Sequence, residues 1–242
     1  MLEVLKKEFG SFFNSLAGYI VLVIFFIITG LFSWVFPQSS ILSNGFANLN
    51  PLFDLAPYLF MFLVPALTMK AFSEEVKTGT IELLLTKPLT DWSIVLGKYF
   101  ASLTLIIIAL LPTLVYYYTV YQIGSPIGNI DQGATIGSYF GLLLLGTVFS
   151  AIGILASSIT DNQIVSYITA LFLCFIIYDG FSLISSINIW STYSYQISKW
   201  GIDHHYSALS KGIIDSRNIL YFISMTLIML FASKITLSSR KW

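Results

Sequence analysis

Few residues in this sequence are equipped for chemistry. Asp203, His204 and His205 stand together, and Asp179 follows a long apolar run. A metal site needs converging ligands, whereas adjacent residues do not share a helix face, so a capping or hydrogen-bonding role fits the trio better than metal binding. An acid deep in an apolar helix is a functional candidate by default. Asp179 either lines a hydrated path or pairs with another polar group, or else, with Gly180 after it, marks a wet turn where the helix ends. Cys174 is the single cysteine, so neither an internal disulfide nor a thiolate cluster can form. Gly97-Lys98 has Trp92 where a phosphate-binding loop needs its leading glycine, and Tyr99 follows the lysine. ATP hydrolysis by that route is excluded. Neither H-E-x-x-H nor G-x-S-x-G occurs, and no intramembrane carboxylates are paired for proteolysis. No catalytic, cofactor or metal role is expected, and the chain is not expected to be an enzyme.

The elements that must position these groups are set by composition. Of 242 residues, 56% are hydrophobic and only 10% charged, where a soluble domain carries about 25% charged residues. No charge stands between Glu8 and Asp54, between Lys98 and Asp131, or between Asp131 and Asp161. A helix crosses roughly 30 Å of hydrocarbon with about 20 apolar residues. The chain therefore reads as an all-α integral membrane protein with membrane lipid as its solvent. Its formal net charge of zero removes any general attraction to nucleic acid. Six spans are expected at about 17–36, 52–70, 93–121, 135–159, 164–187 and 219–237. The first is too long for a signal-peptide core and lacks a small-residue cleavage pattern, so it reads as a retained span.

Six crossings put both termini on one side. Lys6, Lys7, Lys70, Lys77, Lys87, Lys98, Lys234, Arg240 and Lys241 fall on that side, and Lys199, Lys211 and Arg217 on the other. Loops 37–51 and 122–134 hold neither Lys nor Arg. The positive-inside rule then makes both termini cytoplasmic in a multi-pass protein.

Three segments are not simple spans. In residues 1–16, Leu2, Leu5, Phe9, Phe12, Phe13 and Leu16 recur at steps of three and four, the pattern of an amphipathic helix on the membrane face or of an inner extension of the first span. Residues 71–88 carry Glu74, Glu75, Lys77 and Glu82; Gly79 breaks the segment, Thr80 can cap a short second helix, and Pro88 ends it. Leu83, Leu84 and Leu85 need a partner surface, the membrane interface or their own helices to cover them. Residues 188–218 alternate aromatics with small residues, which suits short helices at or dipping into the outer leaflet. In the fourth span, Gly137, Gly141, Gly146, Ser150, Gly153 and Ser157 form a small-residue face for close helix approach, as internal packing or as a dimer seam. Pro57, Pro65 and Pro112 interrupt the second and third spans and free carbonyls that other helices must satisfy.

The run Ser73-Glu74-Glu75, Gly79-Thr80-x-Glu82-x-Leu84-Leu85, Pro88, Trp92, Val95 and Gly97-Lys98 resembles the cytoplasmic signature of ABC-2-type permeases. Gly201-Ile202-Asp203-x-His205-Tyr206, Lys211-Gly212-Ile213-Ile214-Asp215-x-Arg217, Thr160-Asp161-Asn162-Gln163 and Pro51-Leu52-Phe53-x-Leu55-Ala56-Pro57 are similar to the gliding-motility-associated branch of these permeases. Asn218 departs from it, since related permeases often carry Asp there. The C-terminal pattern is also similar to permeases of copper or sulfur exporters that serve nitrous oxide reductase maturation. The resemblance implies one ABC-2 transmembrane domain over 1–242 in the cell inner membrane. It implies a type V exporter-like fold of six helices, an amphipathic N-terminal helix, a coupling helix before the third span and re-entrant helices before the sixth. It further implies a cytoplasmic ABC ATPase in trans, a second permease subunit, and an auxiliary membrane protein with an extracytoplasmic domain. Glu74, Glu75, Gly79, Thr80, Glu82 and Leu84 are then the residues expected to couple to the ATPase. A scaffold that uses the ATPase stroke mechanically, without passing a solute, is the rival expectation.

Overall fold

The computed structural model describes residues 1–43, 45–85, 89–187 and 192–239, with Ala17 and residues 83–85 described in backbone only. Among the described residues every regular element is helical. Six stretches are long and apolar enough to cross a membrane: Gly18–Val35, Asn50–Lys77, Asp91–Ile123, Gln132–Ile159, Gln163–Ser185 and Ser216–Ser239. The second runs past its expected end because helix α3 (Asn50–Thr68) passes through one turn directly into α4 (Ser73–Lys77).

Helix α1 (Leu2–Phe13) is separate from α2 (Leu16–Gly30), so the first residues do not simply continue the helix of the first span. Ser15 is extended and its hydroxyl caps α2 by accepting from Gly18 N. The elbow is tight: a Cβ at Gly18 would sit 2.6 Å from the Phe12 carbonyl oxygen. A π turn, Leu31–Val35, completes the first span. With α5 (Thr80–Leu85) following α4, the third span is α6 (Asp91–Leu110), a 3-10 turn at Leu111–Thr113 and α7 (Leu114–Ile123). The break falls on Pro112, as a missing donor demands. The Tyr139 hydroxyl donates to the Thr113 carbonyl at 3.0 Å.

The prolines of α3 behave differently, because the helix continues through both. Pro57 leaves the Phe53 carbonyl without its intrahelical donor. That carbonyl accepts instead from the Tyr206 hydroxyl at 2.8 Å, in a buried site.

Helix α8 (Gln132–Ile159) is the mast of the molecule, packed by α3, α6, α9 (Gln163–Phe175) and the two last long elements. Of its apolar window 72% is buried, against 22% for the fifth and sixth spans. The small-residue face is therefore filled from within the chain. A Cβ at Gly141 would sit 3.2 Å from the Tyr206 ring, one at Gly146 3.0 Å from Ile106, and ones at Gly137 and Gly153 would collide with the Leu209 carbonyl and the Thr68 side chain. Lipid-facing character falls to the outer spans, where Ile20, Ile24, Ile168, Phe172, Leu227 and Ile228 are exposed.

The fifth span does not end at Asp179-Gly180. A π turn, Ile176–Gly180, carries the chain on into α10 (Phe181–Ser185). Two short helices follow, α11 (Ser194–Ser198) and α12 (Ile202–Ser210), before the sixth span, α13 (Ser216–Ser239). Helix α12 enters the core: Ile202 and Leu209 are fully buried and Tyr206 nearly so. Short helices in 188–218 are thus observed, although residues 188–191 lie outside the described ones.

Candidate coupling surface

Between the second and third spans the chain builds a polar platform. Two backbone donors open α4, at Phe72 and Ser73, where a helix has no internal acceptors to offer. Both donate to the Ser157 hydroxyl of α8, at 2.8 and 3.0 Å, and that hydroxyl donates in turn to the Met69 carbonyl at 3.1 Å. One buried side chain thereby pins the α3–α4 elbow to the mast. Gly79, at φ +71°, reverses the chain between α4 and α5 in the left-handed region where a side chain is disfavoured. Thr80 is the first residue of α5; its hydroxyl turns back, 2.9 Å from that of Thr78 and 3.4 Å from the Glu75 carbonyl. Thr90 caps α6, its oxygen accepting from Ser93 N at 3.2 Å.

The predicted coupling residues divide in two. Glu74, Gly79, Thr80 and Glu82 are exposed, together with Lys77 and Thr78. Ile81 beneath them is buried in a cluster with Phe72, Ile94, Val95 and Ile154. Glu75 is not on that surface. It is buried, with Oε1 accepting from Lys7 Nζ at 2.9 Å and Oε2 2.9 Å from Lys98 Nζ, a contact with ion-pair distance but not hydrogen-bond alignment. The Leu84 side chain and residues 86–88 lie outside the described ones.

Lys98 is the residue that sequence reasoning missed. Its side chain is 1% exposed; Nζ donates to Glu8 Oε1 at 2.7 Å and to the Ala71 carbonyl, and it lies 5.0 Å from the Phe72 ring centroid. Helix α1 reaches this site because Gly97 lets Val4 lie against α6, where a Cβ would be 2.9 Å from the Val4 Cβ. The Glu75 hydrogen bond raises the Lys7 ammonium above its ordinary value, against an opposing push from partial burial. A lysine reported between a glycine and a tyrosine gives no hint of this in sequence, since its acidic partners lie far away along the chain.

At the opposite face the predicted polar residues form a separate group. Asp203 accepts from Ser182 at 3.3 Å. His205 is held by its two ring nitrogens, 2.9 Å from the Lys199 carbonyl and 2.8 Å from Asn218 Oδ1, and it stacks on Tyr221 at 4.0 Å. Asp203 and His205 are thus hydrogen-bonded, while the His204 ring meets the Tyr195 and His205 rings edge-on. Asp179 is half-buried in its π turn, remote from the platform.

Six apolar spans, five of them arranged about the small-residue mast, with a polar helix pair carried between the second and third, define a multi-pass membrane protein. The chain belongs to the ABC-2 family transporter proteins, whose family model matches residues 2–233. A search of curated proteins finds no match. The chain is thus a transmembrane permease subunit, of a family that works with ATPase subunits and dimerises.

Proposed function

We propose that this permease is driven by a separate cytoplasmic ATPase that docks on α4 and α5. The supporting observation is the platform itself: an exposed polar face of Glu74, Lys77, Thr78, Thr80 and Glu82 whose underside is anchored to α8 through Ser157 and to α6 through Lys98. A load applied to that face reaches two spans through buried bonds, and rigid-body motion of packed helices can open or close a path between subunits. The bias of Lys and Arg towards the face of the termini supports a cytoplasmic platform and cytoplasmic termini in the inner membrane. A second permease subunit and an auxiliary membrane protein with an extracytoplasmic domain complete the complex in this reading. Its work is export or envelope work in gliding motility, following the motifs at Gly201–Tyr206 and Lys211–Arg217. Asp179, on a π turn of the kind often found at functional sites, is the polar group assigned to the path.

The test is replacement of Glu82 and Leu84, Glu82→Lys and Leu84→Ala, followed by measurement of ATPase association and permease-stimulated turnover. Both fall if α4 and α5 are the docking surface; unchanged values in both remove the assignment.

A further inference from the structure

Four charges close a ring at the root of the platform: Lys7 of α1 to Glu75 of α4, Glu75 to Lys98 of α6, and Lys98 back to Glu8 of α1, at 2.9, 2.9 and 2.7 Å. The ring is neutral in sum, and Lys98 places a second donor on the Ala71 carbonyl of the α3–α4 turn. Beside it a cavity of about 240 Å³, lined in part by Glu8, Ser11, Lys70, Glu74 and Ser102, separates α1 from α3. Val4 packs α1 on α6 at Gly97, and the ion pairs add the link from α1 to α4 and the end of α6. A buried ion pair cannot be stretched without leaving a desolvated charge unmatched, so the ring resists sliding of any one element against the others.

We propose that Lys7, Glu8, Glu75 and Lys98 are positioning residues that join α1, the α4–α5 pair and the near end of α6 into one moving body, making the amphipathic helix a driven part of the transporter rather than a passive anchor. This rests on the proposed docking of an ATPase for its cause of motion, but the joint itself exists without a partner. When the platform is displaced, α1 moves with it along the membrane face and the third span moves at its root.

Spin labels at Lys6→Cys on α1 and Glu82→Cys on α5, both exposed positions, read the joint in the full chain in lipid nanodiscs; the fully buried Cys174 is left in place. A single narrow distance distribution is expected in the wild-type background, and Glu8→Gln should broaden it, while Glu3→Gln, exposed on the same helix, should not. If Glu8→Gln does not fold, Lys7→Gln, at the exposed end of the ring, should broaden the distribution to a lesser degree. An unchanged distribution in the ring variant overturns the joint. In the complex with its ATPase, Glu8→Gln should leave association intact and cut stimulated turnover about tenfold, the size of an ordinary coupling free energy. Intact turnover despite a broadened distribution, or loss of association itself, overturns the transmitting role. If the wild-type chain binds no ATPase, the docking proposal fails, and the nanodisc distances still decide the joint.

Discussion

The two polar ends of this molecule are held by different physics. At the platform, α1 packs on α6 through Val4 against Gly97, but α1, α4 and α6 are joined to one another through charges, with Lys98 almost wholly enclosed and matched by Glu8 and Glu75. At the opposite end, α12 is held by close backbone approach and by hydrogen bonds rather than ion pairs: the Leu209 carbonyl lies against Gly137, the Tyr206 ring against Gly141, the Tyr206 hydroxyl on the carbonyl freed by Pro57, and the Ser138 and Ser182 hydroxyls on the Ser210 carbonyl and Asp203. Ion pairs joining separate helices fix which elements travel together while leaving their outer faces polar and available. Glycine-mediated contact fixes a helix in the core itself. The same chain thus presents a jointed end and an inlaid end, connected by α8, which receives Ser157's bonds near one terminus and α12 near the other.

The contrast can be broken most forcibly at Lys98. Lys98→Met leaves the half-buried Glu8 without its cation and the buried Glu75 with only the exposed Lys7, which should cost about 3 kcal/mol, the lower end of the range for breaking a buried pair. The apparent thermal midpoint in detergent should fall further than for any substitution discussed below; a smaller loss than at Tyr206 would erase the distinction between the ends.

Gly137→Leu attacks the inlaid end. The added side chain must displace the Leu209 backbone, an overpacking cost of about 1–3 kcal/mol. Limited proteolysis around 199–215 should accelerate while cleavage near 71–85 does not; equal acceleration at both would mean the two ends are not separate units.

Tyr206→Phe removes a buried donor and should cost about 1–2 kcal/mol. The cause can be isolated with Pro57→Ala, which supplies an intrahelical N–H to the Phe53 carbonyl. In that background the Tyr206→Phe penalty should shrink, a coupling that a double-mutant cycle of midpoints measures. Additive losses would show that the hydroxyl does not serve the proline's orphaned carbonyl.

The smallest effect is pH dependence at His204. Burial, and then the neighbouring charges of His205 and Lys199, lower its affinity for a proton in the folded chain. Below its ordinary value of about 6.5 the unfolded state binds the proton more readily than the folded one, so stability should decline as pH falls through that region and recover above it. His204→Gln should flatten the decline; an identical slope in the variant would assign it to another group.

Much of this architecture was legible in the residues. Charge-free runs give the spans because hydrocarbon tolerates few charges, and Gly79 gives the reversal between α4 and α5 because few other residues adopt its backbone angles. The small-residue face of α8 signalled close approach, but spacing alone does not say which helix approaches, and here it is α12, α6 and α3 in turn. Asp179-Gly180 resembled a helix end because that dipeptide favours turns; a π turn absorbs it instead. The freed carbonyl at Phe53 was foreseeable from Pro57, whereas its donor, on a helix far along the chain, was not. Glu75 illustrates the deepest limit. Beside Glu74 it has the same chemistry, and only the turn at Met69–Phe72, which resets helical phase, sends one carboxylate outward and the other into the ion ring. Lys98 was invisible for the same reason: a cation's burial depends on partners that only the folded chain brings together.

The central claim, that a nucleotide-driven partner grips the exposed face of α4 and α5, is tested most directly by a photo-crosslinking residue placed at Glu82 in native membranes, with one at Gln196 on the opposite face as control. The account predicts an adduct at Glu82 with a chain that binds and hydrolyses ATP, and no such adduct at Gln196. ATPase adducts absent from Glu82, or equally abundant at both positions, would contradict it.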